Sequence, residues 1–330
     1  MMIKLNMNEN PYPPPENILK AAKRGFNNMN RYSKLKYSNR LRELIALYNN
    51  ISKERIILSP GSEFLLREII NIFSKDRKII MTNPTFFPAL EHASKNAKKI
   101  IKYQLSPPEF KLNQEMILGE FYEPTLIIID NPNNPTGKML LDKSFVEKML
   151  QNKNVFLLID EAYYEFAKYT FIDLIEKYPN LAIARTMDKA FSLAGLRLGY
   201  FIAGEYFTRE LSDFPKLLPT PTTFAAIEAL KNHEYVNRNI KKIIGERKRV
   251  EDELKKLGIE VFPGEANFIL IRCKMPNLAE KLVDKEIIIK DLSGNWLNNF
   301  YRISIGLPKE NDAFLSEIGN IKTNYDPFVY

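Results

Sequence analysis

Residues 126–137 read Leu126-Ile127-Ile128-Ile129-Asp130-Asn131-Pro132-Asn133-Asn134-Pro135-Thr136-Gly137, four apolar side chains followed by a run rich in turn formers. An apolar run this short and continuous, closed by Asp, Asn, Pro and Gly, reads as a strand buried on both faces. Such strands belong to parallel sheets covered by helices. Working outward, the same pattern recurs at residues 56–58, 79–81, 100–103, 155–159, 182–184 and 200–202. Between these runs, residues 63–73 and 143–150 carry helical spacing. The alternation predicts an α/β fold built on a mostly parallel, seven-stranded sheet.

The organisation changes near residue 222. Residues 222–231 and 235–257 read as helices, and strand candidates follow around Val261 and at 267–271, 286–289 and 301–305. We expect a large domain over residues 28–236. Residues 1–27 and 237–330 should form a smaller α+β domain.

The chain has 330 residues, of which 45% are apolar and 27% charged, a balance that supports a substantial core and excludes disorder. Cys273 is the only cysteine, so no internal disulfide can form. His92 and His233 are the only histidines, too few for a zinc site of Cys and His ligands. No apolar stretch approaches bilayer length, and the N-terminus turns polar and Pro-rich too early for a signal peptide. The net charge is +8, but the charges are spread out, and the densest stretch, 246–256, interleaves both signs. That pattern suits small anionic ligands better than nucleic acid or a membrane. A cytoplasmic enzyme that borrows its reactivity from a bound cofactor fits this composition.

Open parallel sheets bind ligands beyond the carboxyl ends of their strands. Three such ends here carry unusual residues: 130–137, then Asp160-Glu161-Ala162-Tyr163, then 185–191 followed by Ala194-Gly195-Leu196-Arg197-Leu198-Gly199. Singly, each has a structural reading. Asn-Pro and Thr-Gly mark turns, an aspartate after a strand caps a helix, and an isolated lysine is usually solvated. Together, on three consecutive strand ends, they point to one site.

These residues resemble the aspartate aminotransferase superfamily, the fold-type-I enzymes that use pyridoxal phosphate. The likeness is strongest to the histidinol-phosphate aminotransferase branch. It extends to Asn8-Glu9-Asn10-Pro11-Tyr12, Arg31-Tyr32, Gly61-Ser62-Glu63, Pro84-Thr85-Phe86, Ala266-Asn267-Phe268 and Tyr301-Arg302-Ile303-Ser304. The resemblance implies that Lys189 holds the cofactor covalently and then shuttles a proton, and that Asp160 pairs with the pyridine nitrogen. It further implies that Asn134 and Tyr163 bind the ring oxygen and that Phe86 stacks on the ring. The cofactor phosphate would be held by Arg197, Thr186, Ser62 and the backbone amides of Gly61 to Glu63 at a helix start, with Tyr32 reaching in from a second subunit. The active unit would then be a homodimer with shared sites. On the substrate side the resemblance implies Tyr12, Asn134, Lys290 and Arg302, with Arg302 clamping a carboxylate.

The chain also departs from its relatives. Asp188 stands before the lysine where serine is usual. An ionised carboxylate beside a phosphate is repelled, so Asp188 must point away, be protonated, or be neutralised by a cation such as Arg185 or Arg197; of these we expect it to turn toward Arg185 or solvent. Lys290 stands where the branch usually has arginine, keeping the charge but losing the guanidinium fork. Glu63-Phe64 stands where Asp-Glu is common, and with only seven residues before Asn8 we expect no upstream arm like the one that covers the partner's site in longer relatives. The leading expectation is transamination between histidinol phosphate and 2-oxoglutarate in histidine biosynthesis. The alternatives are a threonine-phosphate decarboxylase, an aromatic amino acid aminotransferase, or a binder that kept the fold without catalysis.

Overall fold

The computed structural model describes residues 2–212, 217–295 and 297–325. Its first strand, β1 (Ile3–Leu5), lies apart from the next seven and joins a second, smaller sheet. Those seven are β2 (Ile56–Ser59), β3 (Lys78–Asn83), β4 (Ile100–Gln104), β5 (Thr125–Asp130), β6 (Val155–Asp160), β7 (Leu181–Thr186) and β8 (Gly199–Ala203). They form one sheet in the order β2-β8-β7-β6-β5-β3-β4. Strands β4, β3, β5, β6 and β7 are mutually parallel, whereas β8 runs antiparallel to both of its neighbours. The expected α/β class and mostly parallel seven-stranded sheet are what the chain adopts.

Burial on both faces explains the continuous apolar runs. Leu126 and Ile128 belong to a buried cluster with Leu65, Leu66, Ile69 and Phe73 of the helix Ser62–Phe73. Ile127 and Ile129 face the other way, into the cluster that holds Phe145, Val146 and Met149 of the helix Lys143–Gln151. Successive side chains of a strand point to opposite faces, so each face receives its own helix layer. Each fully buried Ile or Leu contributes about 1.5–3 kcal/mol.

The smaller sheet contains β9 (Glu260–Phe262), β10 (Phe268–Arg272), β11 (Ile287–Asp291) and β12 (Phe300–Ser304), in the order β1-β11-β12-β10-β9. Strand β1 pairs parallel with β11, and the remaining pairs are antiparallel. The long helix Glu234–Lys256 precedes this sheet, as its spacing predicts. Strand β1 was not among the sequence candidates. It has three residues, too few for an alternation to register.

Two contacts set the carboxyl edge of the large sheet. Parallel registers bring Asp130 at the end of β5 beside Asp160 at the end of β6. At the start of β8, a Cβ on Gly199 would lie 2.2 Å from the Ser62 nitrogen, so only glycine lets this strand approach the first turn of the helix Ser62–Phe73.

Candidate active site

The carboxyl ends of β3, β5, β6 and β7 open onto one cavity of about 500 Å³. Lys189 enters it from the turn after β7, and its Nζ donates to the Met7 carbonyl at 2.9 Å. Burial pushes this amine down to about 8 against the pull of Asp188, with Arg302 and Arg197 adding to the fall. About a tenth is therefore the free amine at pH 7, far more than for an ordinary lysine, and this is the form that acts as nucleophile or base.

Asp160 accepts one amide hydrogen bond, from Ala162 at 3.0 Å. Burial raises its carboxyl to about 7, and the carboxylate of Asp130 adds to the rise. The site thus holds an acid that is partly protonated near neutral pH and that an adjacent cation would keep ionised. The Tyr163 hydroxyl accepts from the Asn8 side-chain amide at 2.9 Å and is pushed up to about 12, chiefly by burial. Phe86 forms part of the wall just before the helix Phe87–Asn96.

One end of the cavity is built for an anion. Ser62 opens a 12-residue helix with no side-chain cap at its start, Thr186 ends β7, and Arg197 leans across Gly61. Gly61 has φ +86°, a conformation that favours glycine, and a Cβ there would lie 2.9 Å from Arg197 Nη2, so a side chain would also push the guanidinium aside. The Glu63 side chain is engaged by Arg67 at 2.7 Å.

At the other end lies Arg302. It sits in the middle of β12, the central strand of the smaller sheet, and is buried. Its Nη1 donates to Asn134 Oδ1 at 2.5 Å and its Nη2 to the Asn6 carbonyl at 2.6 Å, while Nε is buried without a partner. The antiparallel register places Lys290 of β11 directly opposite Arg302, and both line the cavity.

Not every expected residue converges here. The Tyr12 ring lies under the Lys242 ammonium at 4.9 Å and does not line the cavity. Tyr32, expected in a second subunit's site rather than in this one, is 96% exposed. Asp188 corrects an expectation. It is buried and turns neither to Arg185 nor to solvent; its carboxylate accepts from the Arg197 guanidinium and from the Leu198 amide at 3.2 Å. The reason is strand geometry. Arg185 and Thr186 are adjacent on β7 and point to opposite faces, so Arg185 is buried away from the cavity with Glu161, Asn49 and Thr170.

Other contributors went unassigned at the level of sequence. Asp130 gathers two loops: Oδ1 accepts from the Thr85 hydroxyl and the Asn133 amide at 2.7 and 2.9 Å, Oδ2 from the Asn134 and Phe86 backbone amides at 2.7 and 3.2 Å. The N-terminal segment straps the cavity, with Asn8 bonded to Ser304, Asn267 and Tyr163, and Asn10 to Ala190. Asn8 and Asn10 were visible only through the family likeness. Asp130 looked like a cap.

The arrangement offers an amine near its titration point, an acid awaiting a cation, an anion cup and a second cationic end. The chain matches the family model for class I and II aminotransferases over residues 1–318. The histidinol-phosphate aminotransferase of Sulfurisphaera tokodaii is 36% identical across 98% of this chain and 91% of its own length. That of Thermococcus gammatolerans is 33% identical across 97% and 92%. The crystal structure of the histidinol-phosphate aminotransferase from Clostridium acetobutylicum superposes with a TM-score of 0.88 at 28% identity, covering 98% of this chain and 100% of that one. Full-length agreement in sequence and in fold places this protein among the class I and II aminotransferases, enzymes that work with pyridoxal phosphate.

Proposed function

We propose that this aminotransferase moves the amino group between histidinol phosphate and 2-oxoglutarate, running from glutamate to imidazole acetol phosphate in the biosynthetic direction. The observation that carries this reading is the pairing of Arg302 with Lys290 on the wall that also receives Lys189. Histidinol phosphate carries a phosphomethyl group where an amino acid carries its carboxylate. Two adjacent cations suit that phosphate, and Arg302 alone suits the carboxylate of glutamate. The names of the relatives at 36% and 33% identity support the same substrate.

The residues present fit the cofactor. Burial raises the Asp160 carboxyl and the pull of Lys189 offsets this only in part, so a protonated ring nitrogen beside it would supply the missing positive charge. Ser62, Thr186 and Arg197 would hold the phosphate, and Phe86 would stack on the ring. Tyr163 and the Asn134 amide would bind the ring oxygen. Pyridoxal phosphate, when bound, supplies the aldehyde that takes up the substrate amine and the electron-poor ring that favours removal of the α-proton. Lys189 would carry that proton from the α-carbon to the cofactor carbon next to the ring. The Met7 carbonyl orients its amine, and Asp160 would keep the ring nitrogen protonated.

In this reading residues 28–236 form the cofactor domain, and residues 1–27 with 237–330 form the small domain that brings Arg302 and Lys290. The active unit is a cytoplasmic homodimer. Phe26, Met29, Tyr32 and Leu35 are all exposed, an apolar stretch suited to a subunit contact that would carry Tyr32 to the neighbouring phosphate cup. Mixing Tyr32→Phe subunits with Lys189→Ala subunits should restore part of the activity that each variant lacks. A fully active monomer would contradict the shared site.

The substrate test is a transamination assay of histidinol phosphate, threonine phosphate, phenylalanine and aspartate against 2-oxoglutarate, with detection of carbon dioxide. Histidinol phosphate should be the best donor, with no carbon dioxide released. A charge-assisted contact is worth about 1.5–3 kcal/mol, so Lys290→Met should weaken histidinol phosphate about ten- to a hundred-fold. Phenylalanine, if used, should hardly change. Equal losses for both would favour an aromatic aminotransferase.

A further inference from the structure

Among the described residues, Asp188 is the carboxylate that holds Arg197 at the anion cup. It is buried, and it holds the Arg197 guanidinium on one oxygen and the Leu198 amide on the other. Its own backbone amide donates to the Thr186 hydroxyl at 3.0 Å, so the aspartate, the hydroxyl and the arginine form a single unit. Arg197, which a phosphate would need, is already engaged by an anion.

We propose that Asp188 competes with the cofactor phosphate for Arg197, so that capturing the phosphate requires the carboxylate to take up a proton. This rests on the reading of Ser62, Thr186 and Arg197 as the phosphate cup. A phosphate monoester is largely a dianion at neutral pH. Placed against Arg197 it meets the negative charge of Asp188 in a partly dry site, where repulsion is poorly screened. One bound proton removes the conflict. A protonated Asp188 can donate its O–H, either to the phosphate or within the cup, while Arg197 turns both arms to the ligand.

The neighbouring charges favour this. Burial raises the Asp188 carboxyl, and Arg197 and Lys189 are the charges that pull it down. Swinging Arg197 onto a phosphate weakens the first of these pulls. Glu63, on the facing helix, is paired with Arg67, and the remaining carboxylates lining the cavity, Asp130 and Asp160, can only add negative charge. Affinity for the phosphorylated cofactor should therefore fall as pH rises, by up to tenfold per unit.

The test uses pyridoxamine 5′-phosphate, which cannot bond covalently to Lys189, and pyridoxamine, which lacks the phosphate. Both are titrated into the full-length cofactor-free protein between pH 6.5 and 8.5 by fluorescence and by calorimetry in two buffers of different ionisation enthalpy. The wild type should lose at least about tenfold more affinity for the phosphorylated ligand across this range than D188S, and should take up close to one more proton on binding. Asp188→Asn, which keeps the shape and cannot ionise, should behave as D188S does. Pyridoxamine should distinguish the three proteins little. Equal pH dependence and equal proton counts in wild type and variants, or weaker phosphate binding by both variants at pH 8.5, would overturn the proposal. No binding of either ligand by any of the proteins would instead overturn the cofactor reading on which it stands.

Discussion

Lys189→Ala is expected to lower amino transfer by about 10²–10⁴-fold from the loss of proton transfer alone, and further because the covalent attachment is lost with it. The loss should fall on both half-reactions, since each moves a proton at the same carbon. The fold should survive, because the side chain makes a single hydrogen bond, to Met7, and contributes no packing that alanine would leave as a sealed void. Before the cofactor is added, the lysine of the wild type should react with an aldehyde faster as pH rises through about 8, the point at which its buried ammonium gives up its proton. A variant retaining activity within tenfold of wild type would remove Lys189 from the chemistry.

Asp160→Asn should have an effect of similar size on activity and the opposite effect on stability. An amide cannot keep a ring nitrogen protonated, so the rate should fall by about 10²–10⁴-fold while substrate affinity changes much less. The cofactor-free protein, however, should gain. The folded-state value of Asp160 is raised to about 7 from 3.8. The folded chain therefore binds the proton more tightly than the unfolded one. Stability from this group is fully present below about pH 4 and is lost as pH rises through about 7. Thermal melting of the cofactor-free protein should fall across this window in the wild type and much less in Asp160→Asn. Bound cofactor should flatten the wild-type profile, because a cation beside Asp160 reverses the cause of the shift. Identical pH profiles for wild type and variant would show that Asp160 is not a strained acid.

How much of this could be read from the chain depends on the distance over which each feature is encoded. Strands β5, β6 and β7 are local features, apolar runs closed by turn formers, and the three loops after them are local too. The convergence of those loops could therefore be read from the strand ends, whereas the roles of Lys189, Asp160, Asn134 and Arg197 came through the family likeness. The role of Asp130 depends on the register of β5 against β3 and β6, which no local pattern specifies. Met7 and Asn8 reach Lys189 and Tyr163 across 182 and 155 residues of chain, and nothing near them in sequence announces those contacts. The charge conflict at Asp188 was legible as a conflict. Its resolution by Arg197 rather than Arg185 follows from the two-residue period of β7, which turns Arg185 to Glu161 on the other side of the sheet. Arg302 was legible as a cation near a strand and not as a buried one, because the order of the smaller sheet decides whether β12 is an edge.

The most direct test is to trap the bond between protein and cofactor. The protein loaded with pyridoxal phosphate should show the visible absorbance of the lysine-bound cofactor, lose it on treatment with borohydride, and yield the label on a single peptide containing Lys189. Label on another lysine, or a protein that takes up no cofactor, would contradict the role of Lys189 on which the whole site is built.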